Sequence, residues 1–451
     1  MKTILKLTTL SAAIAVGLFA TGASTAESVP ANAAEQRQLA AFKAVDLSGP
    51  YDVVIKAQGT QAVSLSGPKD ELADIETRVS GDTLTIRSIK RSGFFIHFGT
   101  SKRNKVTINI TAAALKSLRM SGSGDVMLDQ VGGDQFSITA TGPGDLRGAG
   151  AVRELQLTAR GSGDVNLEDM SATNVRLNMT GPGDVNLSNI SGEFTADVSG
   201  SGDLEAHKLR TTRVTTNVRG PGSVTLNGTS GELRLTASGS GDVHACRLAV
   251  EAVSAMLRGP GNGCVAGTIR RFDGEVHGSG NLDVLGLQAQ NARLVMSGPG
   301  EVRMEGSTGT LNAELSGSGD LEAGKLTVGS ATVRARGPGN VRLSTVSDSL
   351  DASVHGSGDL SATLAAKSLQ LRMTGPGNVR VSGTVDSVNA SLNGSGSLDG
   401  RNLVAGLSDV TVRGPGDAVV SVKPGQADIK SAMAGSPRTV RYNREGSRQS
   451  H

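Results

Sequence analysis

The sequence predicts an all-β parallel β-helix, a solenoid of about 16 coils of 19–20 residues behind a non-repeating N-terminal β cap. Three observations predict it. Gly-x-Gly recurs 16 times at intervals of 19 or 20 residues, usually followed by Asp or Asn, and its middle residue alternates between Ser and Pro from Ser123 and Pro143 to Ser395 and Pro415. Between these motifs apolar and polar residues alternate, as in a strand with one buried face. Aromatic residues make up 2% of the 451 and Trp is absent, so the core is narrow and filled by Val, Leu, Ala and Met.

One rung shows the design. In VRLNMTGPGDVNLSNISG, starting at Val175, the residues Val175, Leu177 and Met179 point inward and alternate with polar ones. A Gly-Pro-Gly-Asp turn follows, then Val185 and Leu187. Glycine allows close backbone approach or positive φ, and Asp or Asn is expected to bond the backbone of its own turn. Charge decides whether one coil spans one motif or two. Two residues after the Asx position stand Glu205, Asp283, Glu322 and Asp399 on Ser rungs, but Arg147, Arg303, Arg342 and Arg380 on Pro rungs. A two-motif coil would stack arginine on arginine. A one-motif coil stacks Asp283, Arg303, Glu322 and Arg342, then Ser361, Arg380 and Asp399, with opposite charges about 4.8 Å apart. The expected rod of motif-bearing coils is about 75–80 Å long.

The ends read differently. Lys2 and Lys6 precede an apolar or small stretch from Leu7 to Ala20, and Ser24-Thr25-Ala26 offers a cleavage site, so residues 1–26 read as a secretory signal peptide. Residues 27–39 form a flexible lead, 40–116 the N-terminal β cap with a short helix near Glu71–Glu76, 117–418 the β-helix repeat, and 419–451 a C-terminal cap and basic tail. Loss of Lys2 and Lys6 takes the formal charge from +3 to +1, which gives no reason to expect nucleic acid. Cys246 and Cys264 fall on consecutive rungs, offset by two residues along the strand. Export permits a disulfide, but the offset puts the Cα atoms near or beyond the usual bridging limit of about 7 Å, so a bridge and two free thiols both stay open.

The stretch FKAVDLSGPYDVVI, then AVSLSGPKDELADIETRV, DTLTI and KVTINI, followed by LKSLRMSGSGDV and reiterated SGSGD-type rungs, resembles the exported bacterial family described as putative auto-transporter adhesin, head GIN domain. The resemblance covers roughly residues 41–445. It implies a right-handed, single-stranded β-helix in the periplasm or at the cell surface of a bacterium, with no catalytic residues to carry over. This chain has many more rungs than a typical member and places Pro in every second one.

Candidate chemistry follows the columns. The Asx column, from Asp125 to Asp417 with breaks at Ser223, Glu301 and Ser397, offers stacked carboxylates to a cation such as Ca²⁺, yet the GGxGxDxUx pattern of calcium β-rolls is absent. No metal and no cofactor is expected. Arg219, Arg258, Arg336 and Arg413 stand just before Gly-Pro-Gly and could grip an acidic polysaccharide, with local pairing to a neighbouring Asp as the plainer role. Phe94, Phe95 and Phe98, set among Lys90, Arg91, Lys102, Arg103 and Lys105, suit a membrane surface or a partner groove, or else fold onto the cap's core. His277 and His355 lie four coils apart, about 19 Å, and cannot share a site. No nucleophile elbow or zinc-protease motif occurs.

These features predict a non-enzymatic exported envelope protein, an adhesin-like binding or structural rod. Its expected partner is an envelope polysaccharide, the membrane surface or another envelope protein. The alternative is a β-helix carbohydrate-active enzyme, a polysaccharide lyase or hydrolase, which would need a carboxylate-lined cleft. Self-assembly through uncovered ends is a third reading.

Overall fold

The computed structural model describes residues 32–89, 106–422 and 440–444. From Val126 onward each coil runs from one Gly-x-Gly turn to the next. Most coils form a single bent strand, as in Val126–Ala140, Leu204–Val218 and Leu282–Met296. Two coils split in two, as Val185–Ser188 with Glu193–Val198 and as Gly263–Ile269 with Arg271–Val276. Successive coils pair in parallel, and one motif makes one coil: Asp283 lies opposite Arg303, Arg303 opposite Glu322, and Glu322 opposite Arg342.

The residue after each Asx opens an inward column. Val126, Leu146, Val165, Val185, Leu204, Val224 and Val243 stack in register and are each at most 4% exposed. At about 4.8 Å between coils, such stacked side chains touch along the whole rod, so the core is continuous although no single coil could bury one. The interior is narrow enough that bulk at one position is matched by its loss nearby. Phe194 is followed two residues later by Ala196, and Phe272 by Gly274, all facing inward.

The glycines of the turn are required by close approach. A Cβ on Gly142 would collide with the carbonyl oxygen of Gly122, and one on Gly144 with that of Gly124. The same holds on the next coil for Gly161 against Gly142 and Gly163 against Gly144. The middle residue points to solvent, and the Ser162 N–H donates to no backbone acceptor among the described residues. Proline in alternate coils therefore gives up no hydrogen bond.

The 19/20 alternation has a structural counterpart at the second corner. A coil with one extra residue leaves it unpaired against a shorter neighbour, and the ladder shifts register there, as between Arg147 and Ala149 or between Ala206 and Leu209. Left-handed backbone accommodates the corner at Gln130 (φ 58°), Asn189 (φ 57°) and Lys208 (φ 52°), and at glycines in other coils. From Ser357 to Pro376 the expected 20-residue step is only 19. The coils Leu360–Thr374 and Asn378–Asn393 consequently stack without a register shift, from Leu360 opposite Val379 to Thr374 opposite Asn393.

Residues 44–56, read from sequence as part of the non-repeating cap, stack as a coil. Ala44–Ser48 pairs in parallel with Ser117–Met120, and Asp52–Lys56 with Val126–Ala140. The turn between them is Gly49-Pro50-Tyr51, with Tyr51 where later coils have the second glycine. A glycine's missing Cβ faces the preceding coil's backbone, as Gly124 faces the Tyr51 carbonyl. Ahead of Tyr51 no Gly-x-Gly turn demands that space. On its other side this coil pairs in parallel with Thr83–Ser88 and Thr107–Thr111. Beyond them the direction reverses: Ile75–Ser80 and Ala62–Pro68 pair antiparallel with those two strands, and Asn32–Gln36 antiparallel with Ala62–Pro68. The helix lies at Lys69–Ala73, starting two residues earlier than expected because Pro68 fixes its N-cap. At the other end Val440–Arg444 pairs in parallel with Asp417–Val422.

Candidate binding face along the turn

Asx side chains form a ladder between coils rather than closing their own turns, which corrects the expectation from sequence. Oδ1 of Asp125 accepts the backbone N–H of Asp145 at 3.1 Å. Asp145 accepts that of Asp164 at 2.9 Å, Asp164 that of Asp184 at 2.9 Å, and Asp184 that of Asp203 at 2.8 Å. The cause is geometric. The turn residues stack about 4.8 Å apart, so the next coil's N–H is nearer to the short Asx oxygen than any free group in its own turn. The ladder stops at Ser223, restarts at Asp242, stops at Glu301, and runs again from Asp320 through Asn340, Asp359 and Asn378 to Ser397. No group of side chains suited to a metal ion occurs among the described residues.

Two residues further along, the charge column is built as its register requires. Arg303 contacts Asp283 at 3.2 Å and Glu301 at 2.8 Å, and Arg342 contacts Glu322 at 3.0 Å. Asp399 is gripped by Arg401 through both oxygens, at 2.9 and 2.8 Å, leaving Arg380 4.0 Å away. Hydrogen bonding from Arg401 holds the Asp399 carboxyl below its ordinary range. A groove of about 670 Å³ runs between the Asx and charge columns over Asp320 to Asp417, and a second of about 580 Å³ lies on the other side of the charge column. Arg342, Ser361, Arg380, Asp399 and Arg401 line both.

Before the turn, Arg219, Arg258, Arg336 and Arg413 are all exposed. Only Arg219 has an acidic neighbour, Asp197 at 3.9 Å; among the described residues the other three make no ion pair. The structure places the four in one column but does not bring them together. His355 is in register with Arg336, and the His277 Nδ1 lies 2.6 Å from the Ser297 hydroxyl. Phe94, Phe95 and Phe98 lie outside the described residues. Sequence reading missed the Arg213 cluster, where one guanidinium bridges Glu193 at 2.9 Å and Glu232 at 3.0 Å. Bonds from Arg234 and Arg213 hold the Glu232 carboxyl below its usual range. Glu193, Arg213 and Glu232 lie on three successive coils, and only the one-coil register brings them into line.

Cys246 and Cys264 are bridged, with Cα atoms 5.3 Å apart. The two-residue offset is absorbed at the corner: Ala245 pairs with Val265 and the next pair is Ala249 with Ala266, so the strand carrying Cys246 bends toward its neighbour.

The fold is thus a parallel β-solenoid whose outer surface is a set of repeated side-chain columns. A family model described as putative auto-transporter adhesin, head GIN domain matches residues 41–168, 150–246, 220–286, 267–363 and 347–440, and the chain belongs to that family. Among solved structures, the chain is similar to a putative adhesin from Parabacteroides distasonis ATCC 8503, with 18% identity, a TM-score of 0.33 and coverage of 65% of this chain and 97% of that one. It is also similar to a putative adhesin from Parabacteroides merdae ATCC 43184, at 16% identity and a TM-score of 0.31, over 64% and 95% of the two chains. A putative adhesin from Bacteroides fragilis NCTC 9343 matches at 14% identity and a TM-score of 0.24, over 74% and 98%. No curated protein matches the chain. No helix among the described residues is long and apolar enough to cross a membrane.

Proposed function

We propose that this chain is a non-enzymatic, exported envelope protein that binds polymeric partners along its rod in the manner of an adhesin. The observation that carries the reading is the uniformity of the coils. Each step from Val126 to Asp417 spans 19 or 20 residues, so no coil holds the long inserted loop from which a β-helix enzyme would build a cleft. What the surface offers instead is the same kind of polar group at each step of about 4.8 Å, which suits many weak contacts acting together. Arg258, Arg336 and Arg413, exposed and without an ion pair among the described residues, are proposed contributors on the face before the turn.

The test is a glycan array and an envelope-fraction pull-down with the mature chain, beginning at Glu27, in parallel with a reducing-end release assay on each bound glycan. Saturable binding without turnover is the expected result. Steady release of sugar ends would overturn the reading in favour of the carbohydrate-active enzyme. Recovery of the chain with an intact N-terminus in the cytoplasm would overturn its export.

A further inference from the structure

The charge column alternates from Asp283 through Arg303 and Glu322 to Arg342, and the next partner, where an acid belongs, is Ser361. Arg380 follows in register. Two arginines therefore stand about 9.6 Å apart with a small neutral residue between them. Their inner sides are under-used. The only ion pair of Arg342 among the described residues is with Glu322, on the side away from Ser361, and its side chain is 66% exposed. Among the described residues Arg380 reaches only Asp399, at 4.0 Å, which Arg401 already holds, and its side chain is 77% exposed. The Ser361 hydroxyl makes no hydrogen bond with a described residue.

The backbone is also exceptional here. Ser361 lies in the one Ser-to-Pro step shortened to 19 residues, and its coil stacks on the next without the usual bulge. Both grooves that flank the charge column meet at this place.

We propose that Ser361, Arg342 and Arg380 form a carboxylate-binding site for an acidic polysaccharide, whose uronate group takes the place of the missing acid in the ladder. The exposed guanidiniums turn from Glu322 and Asp399 to meet the carboxylate from the two neighbouring coils, and Ser361 donates its hydroxyl. The opposite wall fits sugar rather than a second anion. Asp359 accepts both the backbone N–H and the side-chain amide of Asn378, at 3.0 and 3.1 Å, and its remaining oxygen is an acceptor for sugar hydroxyls. Asp320, Glu322 and Asp399 border the place where the arginines stand, so one uronate carboxylate, and not two, sits between the guanidiniums. This site rests on the reading of the rod as a binding module and names its substrate class.

The experiment measures binding of oligogalacturonate, and of the same oligomer with its carboxyls reduced to alcohols, to the mature chain and to the variants Ser361→Glu and Arg380→Gln. Ser361→Glu supplies the missing acid from within, and is expected to keep or raise the melting temperature while weakening oligogalacturonate binding by roughly tenfold or more. Arg380→Gln is expected to weaken it similarly, and the reduced oligomer is expected not to bind. Equal binding to all three proteins, or to both oligomers, would overturn this site and leave the rod's binding role intact. No binding by oligogalacturonate, with other glycans retained on the array, would have the same meaning. Absence of binding to any glycan would remove both readings together.

Discussion

A side chain on Gly274 would place its Cβ 2.6 Å from Cζ of Phe272, so the aromatic ring occupies space that the glycine leaves empty. The two residues face the same core and act as one unit of volume. Gly274→Val is expected to lower stability by about 1–3 kcal/mol through overpacking. Phe272→Leu in the same chain should recover part of the loss. Denaturant unfolding of the two single variants and the double variant measures this coupling, and additive losses would contradict it.

The exposed apex of the turn separates two kinds of serine. The Ser162 N–H donates to no backbone acceptor among the described residues, whereas the Ser123 N–H donates to the Gly49 carbonyl at 3.1 Å. Ser162→Pro is expected to be neutral or to stabilise by up to about 1 kcal/mol. Ser123→Pro should cost about 0.5–1 kcal/mol, since it removes one of two donors to the Gly49 carbonyl and leaves the Gly124 N–H at 3.3 Å. Melting temperatures of the two variants, measured side by side, give the comparison.

The Asx ladder can be cut or mended. Asp164→Ala removes the acceptor for the Asp184 N–H and is expected to cost about 1 kcal/mol, while Asp164→Asn keeps the bond and changes little. Ser223→Asn supplies the oxygen that the column lacks, and an increase of about 0.5–1 kcal/mol is expected. Hydrogen exchange at the Asp242 amide reads the mended step directly: unchanged protection would mean that the new side chain does not reach it.

The bridge between Cys246 and Cys264 closes a loop with a sequence separation of 18. By the chain-entropy account a loop of this size contributes about 3 kcal/mol. Unfolding is expected to show a loss of that order for the natural chain only in the presence of a reductant, and for the double Cys246→Ser, Cys264→Ser variant with or without it.

Acid should weaken the middle of the rod through Glu232. Arg234 and Arg213 lower its folded-state pKa, so its contribution is present above the unfolded value of about 4.3 and is lost as pH falls through the lower folded value. Solvent screens these pairs, and the contribution lies toward the low end of about 0.2–1 kcal/mol. Glu232→Gln should therefore flatten the stability profile below about pH 4.3 and leave its slope near pH 7 unchanged.

Much of this architecture is legible in the sequence because a solenoid repeats its physics. Alternating Arg303 and Glu322 fixed the coil length, since the wrong register would stack like charges, and the pairing of Arg342 with Glu322 follows from it. Relations that depend on corners were not legible. The two-residue offset of Cys246 leaves the bridge open on a straight strand, and the register shift after Ala245 closes it. The turn at Gly49-Pro50-Tyr51 carries no Gly-x-Gly signature, because the first coil lacks the second glycine that marks the others. The short step at Ser361 was visible as a count of residues, but its meaning needed the uninterrupted ladder between Leu360 and Val379.

Tyr51 gives the rod a direction. Each later turn needs glycine because the backbone of the coil before it is already in place, whereas the turn at Tyr51 has no such turn ahead of it. The seat for every new coil is thus prepared by the one made earlier, and a chain that emerges amino end first meets each template in the order it needs them. Assembly can then proceed as a zipper running away from Tyr51, with little call to hold unpaired strands in waiting.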